Sequence, residues 1–119
     1  MQWLAAEIAR IGVTARWSWQ GWVAAWGTEK SLRQWTVVNA ISALLAMLLD
    51  LTGGERALIL ALGLLILAAE LINTALEEVV DYISLNHDPR AGKIKDCGSA
   101  LVAVTAIAGG VAWLAILIG

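Results

Sequence analysis

From residue 34 onward the chain alternates long apolar runs with short polar interruptions, whereas residues 1–33 mix the two. Residues 34–49 carry no charge, and neither do residues 97–119. The second run exceeds the roughly 20 residues a helix needs to cross the hydrocarbon of a bilayer, and the first does so with slight extension. Between them an apolar run from Ala57 meets Glu70 and continues in helical register toward Ile83. This middle segment spans only if charge is admitted inside. The pattern predicts membrane-crossing helices over residues 34–51, 56–83 and 96–118, within a single domain covering 1–119.

Residues 1–33 hold Arg10, Arg16, Lys30 and Arg33, with Trp17, Trp19, Trp22 and Trp26 spaced among them. Trp19, Trp22 and Trp26 follow an i, i+3, i+7 pattern and share one helical face, as in an amphipathic helix lying in the membrane interface, where tryptophan anchors. Thr52-Gly53-Gly54-Glu55 reads as a tight turn whose glycines are free to take positive φ. The polar connector from Ser84 to Lys95 contains the only proline, Pro89, and Asp96 is placed to cap the last span. Basic residues stand before the first span and in the second connector, with Arg56 alone in the first connector and none after the last span. That asymmetry puts the N-terminus and the second connector in the cytoplasm and the C-terminus outside. Ala103, Ala106, Gly109 and Gly110 offer the last span small surfaces for close helix packing.

Composition agrees with an all-α integral membrane protein. The chain is 60% hydrophobic and 15% charged, with a mean hydropathy of +0.74, far more apolar surface than a soluble domain of 119 residues hides in one core. Glu7 and Arg10 near the start speak against a secretory leader. A net charge of −2 gives no reason to expect nucleic acid. The single cysteine, Cys97, excludes an internal disulfide and a cysteine-built zinc site, and reads as a packed thiol.

The middle span carries the candidate chemistry. At about 100° per residue, with Glu70 at zero, Asn73 falls near 300°, Glu77 near 340° and Asp81 near 20°, all within an arc of about 80°. Glu78 sits on the flank. An intramembrane charge costs at least ~2.5 kcal/mol on insertion scales, so several on one helix require a compensating partner. Glutamate, aspartate and asparagine are hard oxygen donors suited to magnesium, which commonly brings substrate phosphates with it. A set of interhelical hydrogen bonds without chemistry is the plainer reading, but it leaves so dense a stripe unexplained. Lys95-Asp96 at the membrane boundary could hold a phosphate and a metal or ribose, and Glu29 could supply a further carboxylate. No G-x-x-x-x-G-K-[ST] loop and no room for a soluble nucleotide-binding domain exist, so any nucleotide chemistry belongs to carboxylates, metal and basic groups at the membrane surface.

Glu70-x-x-Asn73-x-x-x-Glu77-x-x-x-Asp81, followed downstream by Lys95-Asp96-Cys97-Gly98-Ser99-Ala100, resembles the signature of the prokaryotic diacylglycerol kinases. Upstream, Trp17-Ser18-Trp19-Gln20-Gly21, Ala24-Ala25-Trp26, Glu29 and Arg33-Gln34 look like that family's N-terminal surface helix, so the resemblance covers essentially the whole chain. It implies a homotrimeric three-span kinase of the bacterial inner membrane, with composite sites between subunits. The reaction it implies moves the γ-phosphate of magnesium ATP to the primary hydroxyl of a membrane lipid. By that resemblance Glu70, with Asn73 beside it, would be catalytic, and Glu29 and Glu77 would hold magnesium. Nucleotide contacts would come from Arg10, Trp17, Glu29, Glu77, Asn86, His87, Asp88, Lys95 and Asp96. The lipid would lie against Arg10, Trp19, Ala24, Ala25, Trp26, Arg33, Glu70, Ser99 and Trp113.

The chain departs from the family pattern at Trp17, where tyrosine is common, at Trp35, where many relatives carry glutamate, and in Asn86–Arg90. Ala24-Ala25-Trp26, Arg33-Gln34 and Lys95–Ser99 look like the diacylglycerol branch rather than the undecaprenol kinase branch. A proton- or ion-coupled membrane subunit would explain a buried carboxylate but leaves Lys95, Asp96 and Glu29 idle. A helical scaffold would explain none of them.

Overall fold

The computed structural model describes every residue except Ser84, Leu85 and His87, and is helical throughout. Four helices follow in order: α1 (Gln2–Thr28), α2 (Lys30–Leu48), α3 (Gly53–Ile83) and α4 (Pro89–Ile118). α3 and α4 are long and apolar enough to cross a membrane, with mean hydropathies of 2.2 and 2.5. Only 22% and 11% of those apolar windows are buried in the protomer. Such outward-facing apolar surface suits lipid and would be a liability in water.

Helix starts do not coincide with the edges of the apolar runs. α2 begins at Lys30 rather than at Gln34, and α4 begins at Pro89 rather than Asp96. The cap expected of Asp96 belongs to Asp88, whose side chain accepts the Arg90 N–H at 2.8 Å with Pro89 at the first helical position. A proline there loses no helical hydrogen bond and brings its φ ready-made, so the Asp88-Pro89 pair outcompetes a cap two turns later. Gly53 and Gly54 also depart from expectation, because no glycine has positive φ and both lie in the first turn of α3. The start of α3 is set by a reciprocal capping box: Thr52 N–H donates to Glu55 Oε1 at 2.8 Å and Glu55 N–H to Thr52 Oγ1 at 3.1 Å.

α2, α3 and α4 pack as antiparallel neighbours with α3 in the middle. Ala46, Ile59 and Ala112 form the buried cluster at the end of the bundle away from the polar connector, joined by Leu51, Leu62, Trp113 and Ile116. The Trp113 indole donates to Ser42 Oγ at 2.8 Å, and Arg56 Nε closes the end of α2 by donating to Ala46 O at 2.8 Å. At mid-length Asn39 packs over Gly63, where a Cβ would stand 3.2 Å from its Oδ1. α1, about 40 Å long at 1.5 Å per residue, projects from the bundle and gives the protomer its flat 52 × 47 × 22 Å outline. Its exposed Trp3, Ile8, Ile11, Trp17 and Trp19 have no partner surface within the protomer.

Candidate active site

α3 carries the polar stripe on the side that faces α4 and the junction of α1 with α2. Glu70 is 4% exposed and is the buried charged side chain among the described residues. One turn on, Asn73 Nδ2 donates to Glu77 Oε1 at 3.3 Å, so two members of the stripe drawn from helical spacing are in direct contact. At its polar end Asp81 Oδ1 accepts from Lys95 Nζ at 2.8 Å. Lys95 is thereby tied to the stripe across the α3–α4 interface. Thr74 Oγ1, on the flank, returns its proton to Glu70 O at 3.0 Å.

The close approach of α4 at this level depends on Gly98. A Cβ at Gly98 would run into Asn73 Oδ1 and stand 3.3 Å from Asn73 Cγ and 3.4 Å from Leu76 Cδ1. Asn73 Oδ1 is buried and accepts no conventional hydrogen bond. It faces the Gly98 Cα, a position suited to a weak Cα–H···O contact. The glycine therefore fixes the Asn73 carboxamide with its N–H₂ toward Glu77. The sequence signature includes this glycine but assigns it no task.

Glu29 stands between α1 and α2 with extended backbone, φ −108° and ψ 103°. Glu29 thus stands at the α1–α2 junction, and Glu77 lies on the part of α3 toward its polar end. No three His, Cys, Asp or Glu side chains among the described residues are grouped closely enough to hold a metal ion on their own. One or two carboxylates supplemented by phosphate oxygens and water are, however, what magnesium ordinarily accepts. The hard oxygen donors of Glu29 and Glu77 fit an ion that arrives with a polyphosphate.

Other expected residues are more scattered. Asp88 is engaged by Arg90, which donates from Nε to Oδ1 at 3.3 Å and from Nη2 to Oδ2 at 3.0 Å. The Arg90 guanidinium, and secondarily its backbone N–H, hold the Asp88 carboxyl below the usual carboxylate range. Asp96 and Ser99 are exposed on α4, as is Cys97, contrary to the packed thiol read from sequence. Asn86 is exposed, and His87 lies outside the described residues.

Along α1, Ala25 is buried and Ala24 exposed, and Trp26 packs against Trp22 with ring centroids 5.9 Å apart. A cleft of about 660 Å³ opens between α1 and α3, floored by Gly21, Ala24, Ala25 and Ala75, with Glu78 at its edge. Arg10 pairs with Glu7 at 2.6 Å and lies about 28 Å along α1 from Glu29, with Trp17 about 18 Å and Trp19 about 15 Å away at 1.5 Å per residue. Arg10 thus lies far from the hinge within one protomer, whereas Ser18, between Trp17 and Trp19, lines the α1–α3 cleft with Thr74 and Glu78. Trp113 belongs to the cluster at the opposite end of the α3–α4 pair. Arg33, expected on the lipid path, donates through Nη1 to Trp26 O.

The family model described as prokaryotic diacylglycerol kinase matches residues 16–117. A diacylglycerol kinase of Pseudomonas aeruginosa is 41% identical over 114 residues, covering 94% of this chain and 91% of that protein. Those of Escherichia coli K12 and Haemophilus influenzae are each 34% identical, covering 91% and 87% of this chain and 88% of either relative.

Proposed function

This chain belongs to the prokaryotic diacylglycerol kinase family, and from that premise we propose that it transfers the γ-phosphate of magnesium ATP to the primary hydroxyl of diacylglycerol, giving phosphatidic acid. The observation that carries this reading is the buried Glu70 on the α3 face that also carries the Asn73–Glu77 hydrogen bond and the Asp81–Lys95 pair. A membrane alcohol and a water-soluble polyphosphate must meet at such a boundary. Glu70 to Glu77 covers about 10 Å along the helix, enough to join the two depths.

Glu70 takes the proton of the lipid hydroxyl as its oxygen attacks the γ-phosphorus, and the bond from that phosphorus to the β,γ-bridging oxygen breaks, leaving ADP. Asn73, locked by Gly98, orients Glu77. Glu29 and Glu77 would hold the cation. Magnesium, when bound, offsets charge on the β- and γ-phosphate oxygens. Lys95, kept in place by Asp81, adds a point charge at the same end, so catalysis is mostly positioning and electrostatics. Arg10, about 28 Å along α1 from Glu29, reaches a site only when contributed by another subunit, which supports a homotrimer with composite sites. The cytoplasmic N-terminus and second connector, the inner membrane and three spans including α2 belong to the same reading.

Thin-layer analysis of products from purified protein given labelled ATP and either diacylglycerol or undecaprenol tests it. Phosphatidic acid is the expected product. Phosphorylation of undecaprenol alone would move the chain to the other branch, and transport of protons without any phosphoryl transfer would remove it from the kinases.

A further inference from the structure

Glu29 is the single non-helical residue between two helices and serves both. Its N–H completes α1 on Ala25 O at 2.8 Å, and its carbonyl receives the Arg33 N–H at 3.4 Å. The last turn of α1 contains no basic side chain of its own to satisfy the carbonyls exposed there. Arg33 reaches back over the break from the first turn of α2 and donates a guanidinium N–H to Trp26 O. Beside it Leu32 is fully buried and pins the start of α2 to the bundle. A charge-assisted bond thus joins the negative end of the α1 dipole to a cation anchored in α2.

With one residue in the hinge, the angle between α1 and α2 and the direction of the Glu29 Cα–Cβ bond are set by the same two dihedrals. A rotation about φ of residue 29 swings α1 relative to the Glu29 side chain and α2, and a rotation about ψ turns α1 and the side chain together against α2. Whatever fixes the two helices fixes the backbone from which the carboxylate projects. We propose that Arg33 is a positioning residue that locks this hinge so that Glu29 is presented, together with Glu77, to magnesium-bound phosphate. Its guanidinium is committed to a backbone carbonyl of α1 and acts through Glu29 instead of touching the lipid. This inference rests on the kinase reading above. It also links the seating of α1 on the membrane to the metal-binding end of the site.

The test uses full-length protein in lipid nanodiscs, comparing the parent with Arg33→Gln and Arg33→Lys. On a Cys97→Ser background, nitroxides at Val13 and Val37, both exposed, report the α1–α2 distance by pulsed electron resonance, with Val13→Cys and Val37→Cys providing the attachment points. Kinetics on unlabelled protein vary magnesium ATP and diacylglycerol separately. Arg33→Gln is expected to broaden the distance distribution and raise the half-saturating magnesium concentration about tenfold, the order of one lost charge-assisted bond. The KM for diacylglycerol stays within about twofold. Arg33→Lys, which still donates one bond to Trp26 O, restores most of both. An unmoved distance distribution, or a rise confined to the diacylglycerol KM, overturns the proposal. A parent that phosphorylates no lipid sinks the kinase reading and with it the purpose of the hinge, whereas an active parent with an unmoved hinge sinks this inference alone.

Discussion

In the proposed reaction Glu70 is the base, a role suggested by its burial on a helix that leads to the polar boundary. Glu70→Gln keeps the shape and removes the proton acceptor. A 10²- to 10⁴-fold fall in kcat, the usual order for a general base, is the expected result, with nucleotide binding retained. Full activity in that variant would retire the base assignment. Gly98 makes a sharper residue-level prediction. Gly98→Ala drives a methyl into Asn73 Oδ1 and costs about 1–3 kcal/mol, the range for overpacking a tight interface. Combining it with Asn73→Ala, which removes the obstructing carboxamide, recovers much of the stability but none of the activity. A double-mutant cycle read by unfolding in mixed micelles separates the two effects.

The ends of α2 and α4 show how single helices are held. Trp113 donates to Ser42 Oγ between them, and Ser42→Ala leaves the indole N–H unpaired. The loss should be about 1 kcal/mol or less, since hydrogen bonds between membrane helices average near 0.6 kcal/mol. Activity is untouched, because this contact lies at the end of the bundle remote from Glu70. At the other end Asp88 caps α4 and its carboxyl is held below the usual range by Arg90. A depressed folded value means that the cap's contribution is present above the unfolded carboxylate pKa of about 3.9 and is lost as pH falls through the folded value. Amide protection over residues 90–93, taken relative to the intrinsic exchange rate at each pH, should therefore fall only in acid for the parent, and be reduced at every pH for Asp88→Ala.

The whole protomer is a flat bundle with a long surface helix, and its geometry leaves Arg10 about 28 Å from Glu29 along α1. If one subunit supplies Arg10 and another the α3 stripe, mixed assemblies should recover function. Co-refolding Arg10→Leu protein with Glu70→Gln protein, each nearly inactive alone, is expected to give activity approaching the statistical share of intact composite sites. No gain on mixing would place the complete site in one protomer. The same outline leaves the tryptophans of α1 exposed and the apolar windows of α3 and α4 sparsely buried, surfaces suited to lipid.

The amino-acid sequence carries the hydrophobic periods, the positions of caps and breakers, and the spacing that puts Glu70, Asn73, Glu77 and Asp81 on one face. These follow from interactions within a few residues of one another and from helical geometry, so the helical class and the stripe were readable without coordinates. Helix starts were less so, because the polar connector marks where the membrane ends and not where hydrogen bonding begins. That is why α4 opens at Asp88-Pro89 and α2 at Lys30. Only tertiary structure decided that Asn73 is fixed by the missing side chain of Gly98, that Lys95 answers Asp81 across an interface, and that Arg33 spends its charge on Trp26 O. Each of these depends on the register between helices far apart in the chain, or on the angle at one hinge residue, and neither quantity is written in any local pattern.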